Sequence, residues 1–153
     1  MLATSYTFNT VAAASANWQD ATKWTPSGFP NAIDDVANFV MPATTAPGAN
    51  GLTISLAGID TVGSIVVDNT ANPNNFVTRI NGTGGQLIFQ SSTGTATYTE
   101  NAGTPNTTNN GRFVINQPTV SLLSNLVVTQ DNQTGLNTST EFGTRVDGAS
   151  NIT

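Results

Sequence analysis

From Tyr6 to Val146, short β-branched and apolar runs alternate with breakers drawn from Gly, Asn, Pro and Asp. That punctuation leaves little room for helices, because an isolated helix needs roughly a dozen uninterrupted residues to offset the cost of its first turn. The alanine-rich stretch Val11–Ala16 is too short and lacks a cap. Strand signals take the place of helices. Candidate strands are Tyr6–Asn9, Val36–Val40, Leu52–Leu56, Ser64–Val67, Phe76–Ile80, Gln86–Gln90, Thr95–Thr99, Arg112–Asn116, Thr119–Leu123, Asn125–Thr129 and Glu141–Val146. The breakers between them include Asp68-Asn69-Thr70-Ala71-Asn72-Pro73, Asn81-Gly82-Thr83-Gly84-Gly85 and Asn109-Asn110-Gly111.

Several runs alternate in the manner of a half-buried strand. In Leu52-Thr53-Ile54-Ser55-Leu56 the apolar residues fall on one face and the hydroxyls on the other. Composition agrees with this reading. The 26 threonines and 19 asparagines must supply the polar surface, since only 8% of residues are charged. Threonine favours a pleated surface and asparagine favours turns. With 37% hydrophobic residues the chain has enough apolar surface to avoid disorder and to bury a core.

The missing residue types narrow the chemistry. There is no histidine and no cysteine, and Lys23 is the only lysine. Zinc sites, thiol nucleophiles, haem ligation and histidine general bases are therefore excluded, and no cofactor is expected. The net charge of -5 argues against nucleic acid, whose phosphates need a basic face. No stretch is long and apolar enough for a membrane-spanning helix. Met1-Leu2-Ala3-Thr4 has no basic or apolar leader, which points to a mature chain whose secretion signal lies outside this sequence.

Two all-β architectures fit the pattern: a β-sandwich of antiparallel hairpins, or a parallel β-helix whose short strands wind as rungs. Strict repeats are absent, so periodicity alone leaves them almost even. The order of motifs separates them. Asn17-Trp18-Gln19-Asp20-Ala21-Thr22-Lys23-Trp24 is followed by Pro26-Ser27-Gly28-Phe29-Pro30-Asn31 and Asp34-Asp35-Val36-Ala37-Asn38-Phe39. Then come Leu52-Thr53-Ile54-Ser55-Leu56, Val62-Gly63-Ser64-Ile65-Val66-Val67-Asp68-Asn69 and Gly85-Gln86-Leu87-Ile88-Phe89. This order resembles the N-terminal region of bacterial autotransporter-associated β-strand repeat proteins, including large extracellular proteins with a PEP-CTERM sorting tail. The resemblance runs from about Tyr6 to Ile152.

The resemblance implies a right-handed, single-stranded parallel β-helix, or β-solenoid, secreted and displayed at a bacterial cell surface. One domain is expected over residues 1–153, with an aromatic N-terminal cap and the first strands at 1–40 and rungs at 41–153. The chain would be the N-terminal part of a longer protein. The implied function is structural or adhesive rather than enzymatic, with end-to-end stacking on itself into filaments or a cell-surface glycan as the partners. No catalytic or metal site is carried over.

Trp18, Trp24, Phe29 and Phe39 are the candidate special residues. As a cap they plug the end of the stack, which otherwise exposes apolar side chains. As an exposed platform, Trp18 and Trp24 would instead stack on sugar rings, making the chain a carbohydrate-binding module. Asp34-Asp35 is the only adjacent carboxylate pair and reads as a turn feeding Val36 rather than as a calcium site, for it lacks a calcium-loop motif. A β-helix polysaccharide-degrading enzyme would need two carboxylates at a set separation. Asp60, Asp68, Glu100, Asp131, Glu141 and Asp147 are instead scattered singly, mostly in turn-like contexts where charges are solvated.

Overall fold

Short alternating strands too polar on one face to be buried on both must share a core on the other, and in this chain they do so as three sheets. A computed structural model describes residues 2–9, 15–40, 52–68, 78–82, 84–101, 112–116, 119–130, 139–142, 145–148 and 150–153. The strands begin with β1 (Ser5–Phe8), β2 (Ser15–Asn17), β3 (Trp24–Thr25), β4 (Val36–Val40) and β5 (Leu52–Ser55). They continue through β6 (Ile59–Val62), β7 (Ser64–Asp68), β8 (Thr78–Asn81), β9 (Gln86–Phe89) and β10 (Thr95–Asn101). The last are β11 (Arg112–Asn116), β12 (Thr119–Leu122), β13 (Asn125–Gln130), β14 (Ser139–Phe142) and β15 (Arg145–Asp147).

From β4 onward the chain visits the three sheets in rotation. The first sheet has the order β13-β10-β7-β4-β1-β3, the second β14-β11-β8-β5-β2 and the third β15-β12-β9-β6. Each strand thus lies beside the strand three places along in sequence. Val36 pairs with Ser64, Ser64 with Thr97 and Thr97 with Val127, a spacing of roughly 30 residues that falls within the range of stacked repeats. Among the described residues all the strand pairings are parallel except that of β1 with β3. The β-sandwich alternative is corrected on this point. Antiparallel hairpins would pair strands adjacent in sequence, whereas parallel strands need a long crossover before they can meet.

The register puts like residues over one another. Ile54, Ile80 and Ile115 form one fully buried column, and Val62, Phe89 and Leu122 another. A third column runs from Ala37 through Ile65 to Tyr98. Because a strand's side chains alternate, fixing one buried residue per strand fixes the whole face. Glycines allow the tightest corners. A Cβ at Gly85 would collide with the carbonyl oxygen of Leu56, and one at Gly63 with the backbone of Asp34.

Most strand boundaries expected from the sequence lie within a residue or two of those observed. Glu141–Val146 differs, because it divides into β14 and β15 in separate sheets. Three strands, β2, β3 and β6, were not expected. Phe76 and Val77, and the alanine patch from Val11 to Ala14, lie outside the described residues.

Candidate functional site

The aromatic residues singled out by sequence gather at the β1 end of the first sheet. Trp18 follows β2 directly and its backbone N–H donates to the Ser55 carbonyl at 2.8 Å, which ties the turn to β5. A 3₁₀ turn at Ala21–Lys23 then reverses the chain. Asp20 caps it, accepting from the Thr22 N–H at 3.0 Å and the Thr22 hydroxyl at 2.6 Å. Those two bonds, chiefly the hydroxyl, hold the Asp20 carboxyl below its ordinary range. The turn delivers Trp24 into β3, which lies antiparallel to β1 with Phe8 opposite Trp24 and Thr7 opposite Thr25.

Trp18 is 0% exposed and Trp24 3%, and Phe8 and Phe39 are buried with them. The Trp18 and Trp24 rings meet edge-on, with centroids 5.2 Å apart. Trp24 also packs edge-on against Phe8 at 4.9 Å and Phe39 at 5.6 Å. Such T-shaped pairs place the positive rim of one ring against the negative face of the next. Both indole N–H groups are satisfied: Trp18 donates to the Pro30 carbonyl at 3.0 Å and Trp24 to the Trp18 carbonyl at 2.8 Å. Phe29 and Tyr6 are partly buried and pack against the same cluster.

This geometry corrects the reading of Trp18 and Trp24 as a sugar-stacking platform. A stacking ring must offer a face to solvent, and these two offer none. The polar stretches at 69–75 and 102–111 lie outside the described residues.

The adjacent carboxylates diverge. Asp35 is buried and accepts from the backbone N–H groups of Thr4 at 2.9 Å and Asn31 at 3.1 Å. Asp34 adopts a positive φ of 70° and accepts from the Ser92 N–H at 2.8 Å. Hydrogen bonds from Ser92 and Ser91 hold the Asp34 carboxyl below its ordinary range. Asp34, Asn31, Ala32, Ile33, Thr61 and Ser92 line an open groove of about 450 Å³. Both carboxylates therefore act as turn acceptors, as Asp does when it reaches neighbouring amides. Among the described residues no three acidic side chains come together as metal ligands.

Two scattered acids are not solvated as the sequence suggested. Asp60 is 1% exposed and Glu100 2%. Asp60 sits in β6 in register with Leu87 of β9, and the Gln19 amide donates to its Oδ2 in a short contact. Glu100 continues the column of Phe39 and Val67 in the first sheet and accepts from the Tyr98 hydroxyl at 3.2 Å and the Gln130 amide at 3.4 Å. The signal was available in the alternation, for Asp60 is in phase with Val62, and Glu100 with Ala96 and Tyr98.

A scan against protein-family models matches no family, and searches of curated proteins and of solved structures return no match. The likeness to autotransporter-associated repeats thus rests on the order of sequence motifs.

Proposed function

We propose that this chain is a non-catalytic structural or adhesive element of the cell exterior, wound as a right-handed parallel β-helix and closed at one end by its tryptophan turn. The observation that carries this reading is the rotation of the strands through three sheets with every rung in register. A right-handed path follows from the strong preference of parallel crossovers. Continuous hydrogen-bond ladders run the length of such a stack, and load applied along it is shared among them. The outward residues are mainly Ser, Thr, Asn and Val, as in Thr97 and Thr99 of β10 and Asn38 of β4, so the surface is polar but nearly uncharged.

The two ends differ in a way that gives the stack a direction. At the near end β3 covers the Thr7–Phe8 half of the outer edge of β1, which there has no room to pair with a further strand. At the far end Ile152 bridges Leu126 in parallel, with Asn151 and Thr153 exchanging backbone bonds with Leu126 and Val128 of β13. A strand added to that end, from this chain or another, continues the existing ladder. End-to-end stacking of this chain on itself joins the β13 side of one copy to the near end of the next, so β3 would have to move aside at every junction.

The experiment sets adhesion and structure against glycan capture. Binding to immobilised polysaccharides and thermal melting are measured for the parent chain and for Trp18→Ala. The structural reading expects a large fall in melting temperature and no tryptophan-dependent glycan retention. Lost retention with unchanged melting would overturn it.

A further inference from the structure

Gln19 leads directly out of the buried Trp18 and reaches across to the start of the third sheet. Its Nε2 donates to Oδ2 of Asp60, while its Oε1 is buried and has no hydrogen-bond partner. The pocket is tight on the Gln19 side, where a Cβ at Gly58 would stand 2.9 Å from Nε2. An orphaned buried acceptor beside an acid is an unbalanced arrangement, since a carboxylate can only accept. A protonated carboxyl corrects it. Its O–H can donate to Gln19 Oε1 while its other oxygen accepts from Nε2, which gives Oε1 the donor it lacks.

We propose that Gln19 and Asp60 form a neutral amide–carboxylic acid clasp that fastens the tryptophan turn to the third sheet, and that ionisation of Asp60 loosens it. The surroundings favour the neutral form. Asp60 is in register with the buried Leu87, itself in register with Val120, and no charged side chain acts on it from the tryptophan turn, from the turn at Gly58 or from β9. The nearest acid in sequence to Gln19, Asp20, is turned to Thr22. Burial pushes the Asp60 carboxyl up to about 6, against the opposing pull of the Gln19 hydrogen bond. The clasp is consequently closed in mild acid and opens as the medium becomes neutral. It is independent of what the outer surface binds.

The test is a titration of the whole chain by NMR, from about pH 4 to about pH 8, a range that spans the ordinary and the raised carboxylate values. It follows the Asp60 carboxyl carbon, the Gln19 side-chain amide and solvent exchange at the Trp18 and Trp24 indole N–H groups. The expected result is an Asp60 midpoint near 6, a Gln19 amide shift with the same midpoint, and indole exchange that accelerates above it. Asp60→Asn, whose amide donates to Gln19 Oε1 at every pH, is expected to suppress that acceleration. An Asp60 midpoint in the ordinary carboxylate range would overturn the proposal. So would a raised midpoint with the Gln19 amide and both indoles unmoved, a result the parent chain gives whether or not the variant folds.

Discussion

The indole of Trp24 donates to the backbone carbonyl of Trp18 at 2.8 Å while the two rings pack edge-on, so each tryptophan holds the other in place. One ring supplies a hydrogen bond to the turn that carries the other. The pair therefore ties β3 to the segment leaving β2.

Trp18→Ala is expected to cost about 3–5 kcal/mol, the range for emptying a large buried aromatic site. Trp24→Phe keeps much of the packing but leaves the Trp18 carbonyl without its donor, at about 1–3 kcal/mol. Urea denaturation of both variants checks the order, Trp18→Ala being the more damaging.

Gly85→Ala is expected to destabilise by about 1–3 kcal/mol, because the added methyl meets the Leu56 carbonyl and backbone has little freedom to retreat. Gly94 has a positive φ of 81° but open space around it. Gly94→Ala should thus lose only the conformational term of about 1–2 kcal/mol. Thermal melting of the two side by side separates collision from backbone strain.

Ile80 lies at the centre of the isoleucine column, and Ile80→Ala is expected to cost about 2–5 kcal/mol. Ile59 belongs to β6 but faces outward, 64% exposed. Ile59→Ala should change stability by no more than about 0.5 kcal/mol. Equal effects at the two positions would contradict the assigned inward and outward faces.

Stability should also fall as pH rises through the range where Asp60 ionises. Its folded pKa of about 6 is above the ordinary aspartate value of about 3.9, so the folded state holds the proton more tightly than the unfolded state. The contribution is complete below the lower value and lost as pH passes the upper one. It amounts to at most about 3 kcal/mol. Asp20 and Asp34 act in the opposite sense, their depressed values withdrawing stability only in stronger acid. Melting curves at mildly acidic and neutral pH, compared with Asp60→Asn, isolate the Asp60 effect.

Much of the strand layout could be read from residues alone, because alternation and breakers act locally. Leu52-Thr53-Ile54-Ser55 declares its buried face without reference to any partner. The tryptophan turn was also legible, since two large aromatics in so polar a segment need a place to be buried. The three missed strands owe their state to neighbours. β3 is two residues long and exists because β1 lies beside it, and β2 exists because β5 does. β6 hid behind Asp60, a charge-bearing residue that only its amide partner and the register with Leu87 make acceptable in the interior. Which strands pair, and that they pair in parallel, depends on contacts between residues far apart in sequence, and no short window contains it.

Parallel, in-register stacking is the central claim, and the absence of native cysteine makes it directly testable by crosslinking. Ser64 and Thr97 are register partners on neighbouring strands, their hydroxyls 2.8 Å apart, and Val127 is the partner of Thr97 one strand further on. Adjacent strands lie about 4.8 Å apart, within the reach of a disulfide, whereas two steps span about 9.6 Å and exceed it. The account expects the double variants Ser64→Cys/Thr97→Cys and Thr97→Cys/Val127→Cys to oxidise to intramolecular disulfides, and Ser64→Cys/Val127→Cys to remain reduced. A folded protein in which Ser64→Cys/Val127→Cys crosslinks, or in which neither adjacent pair does, would contradict it.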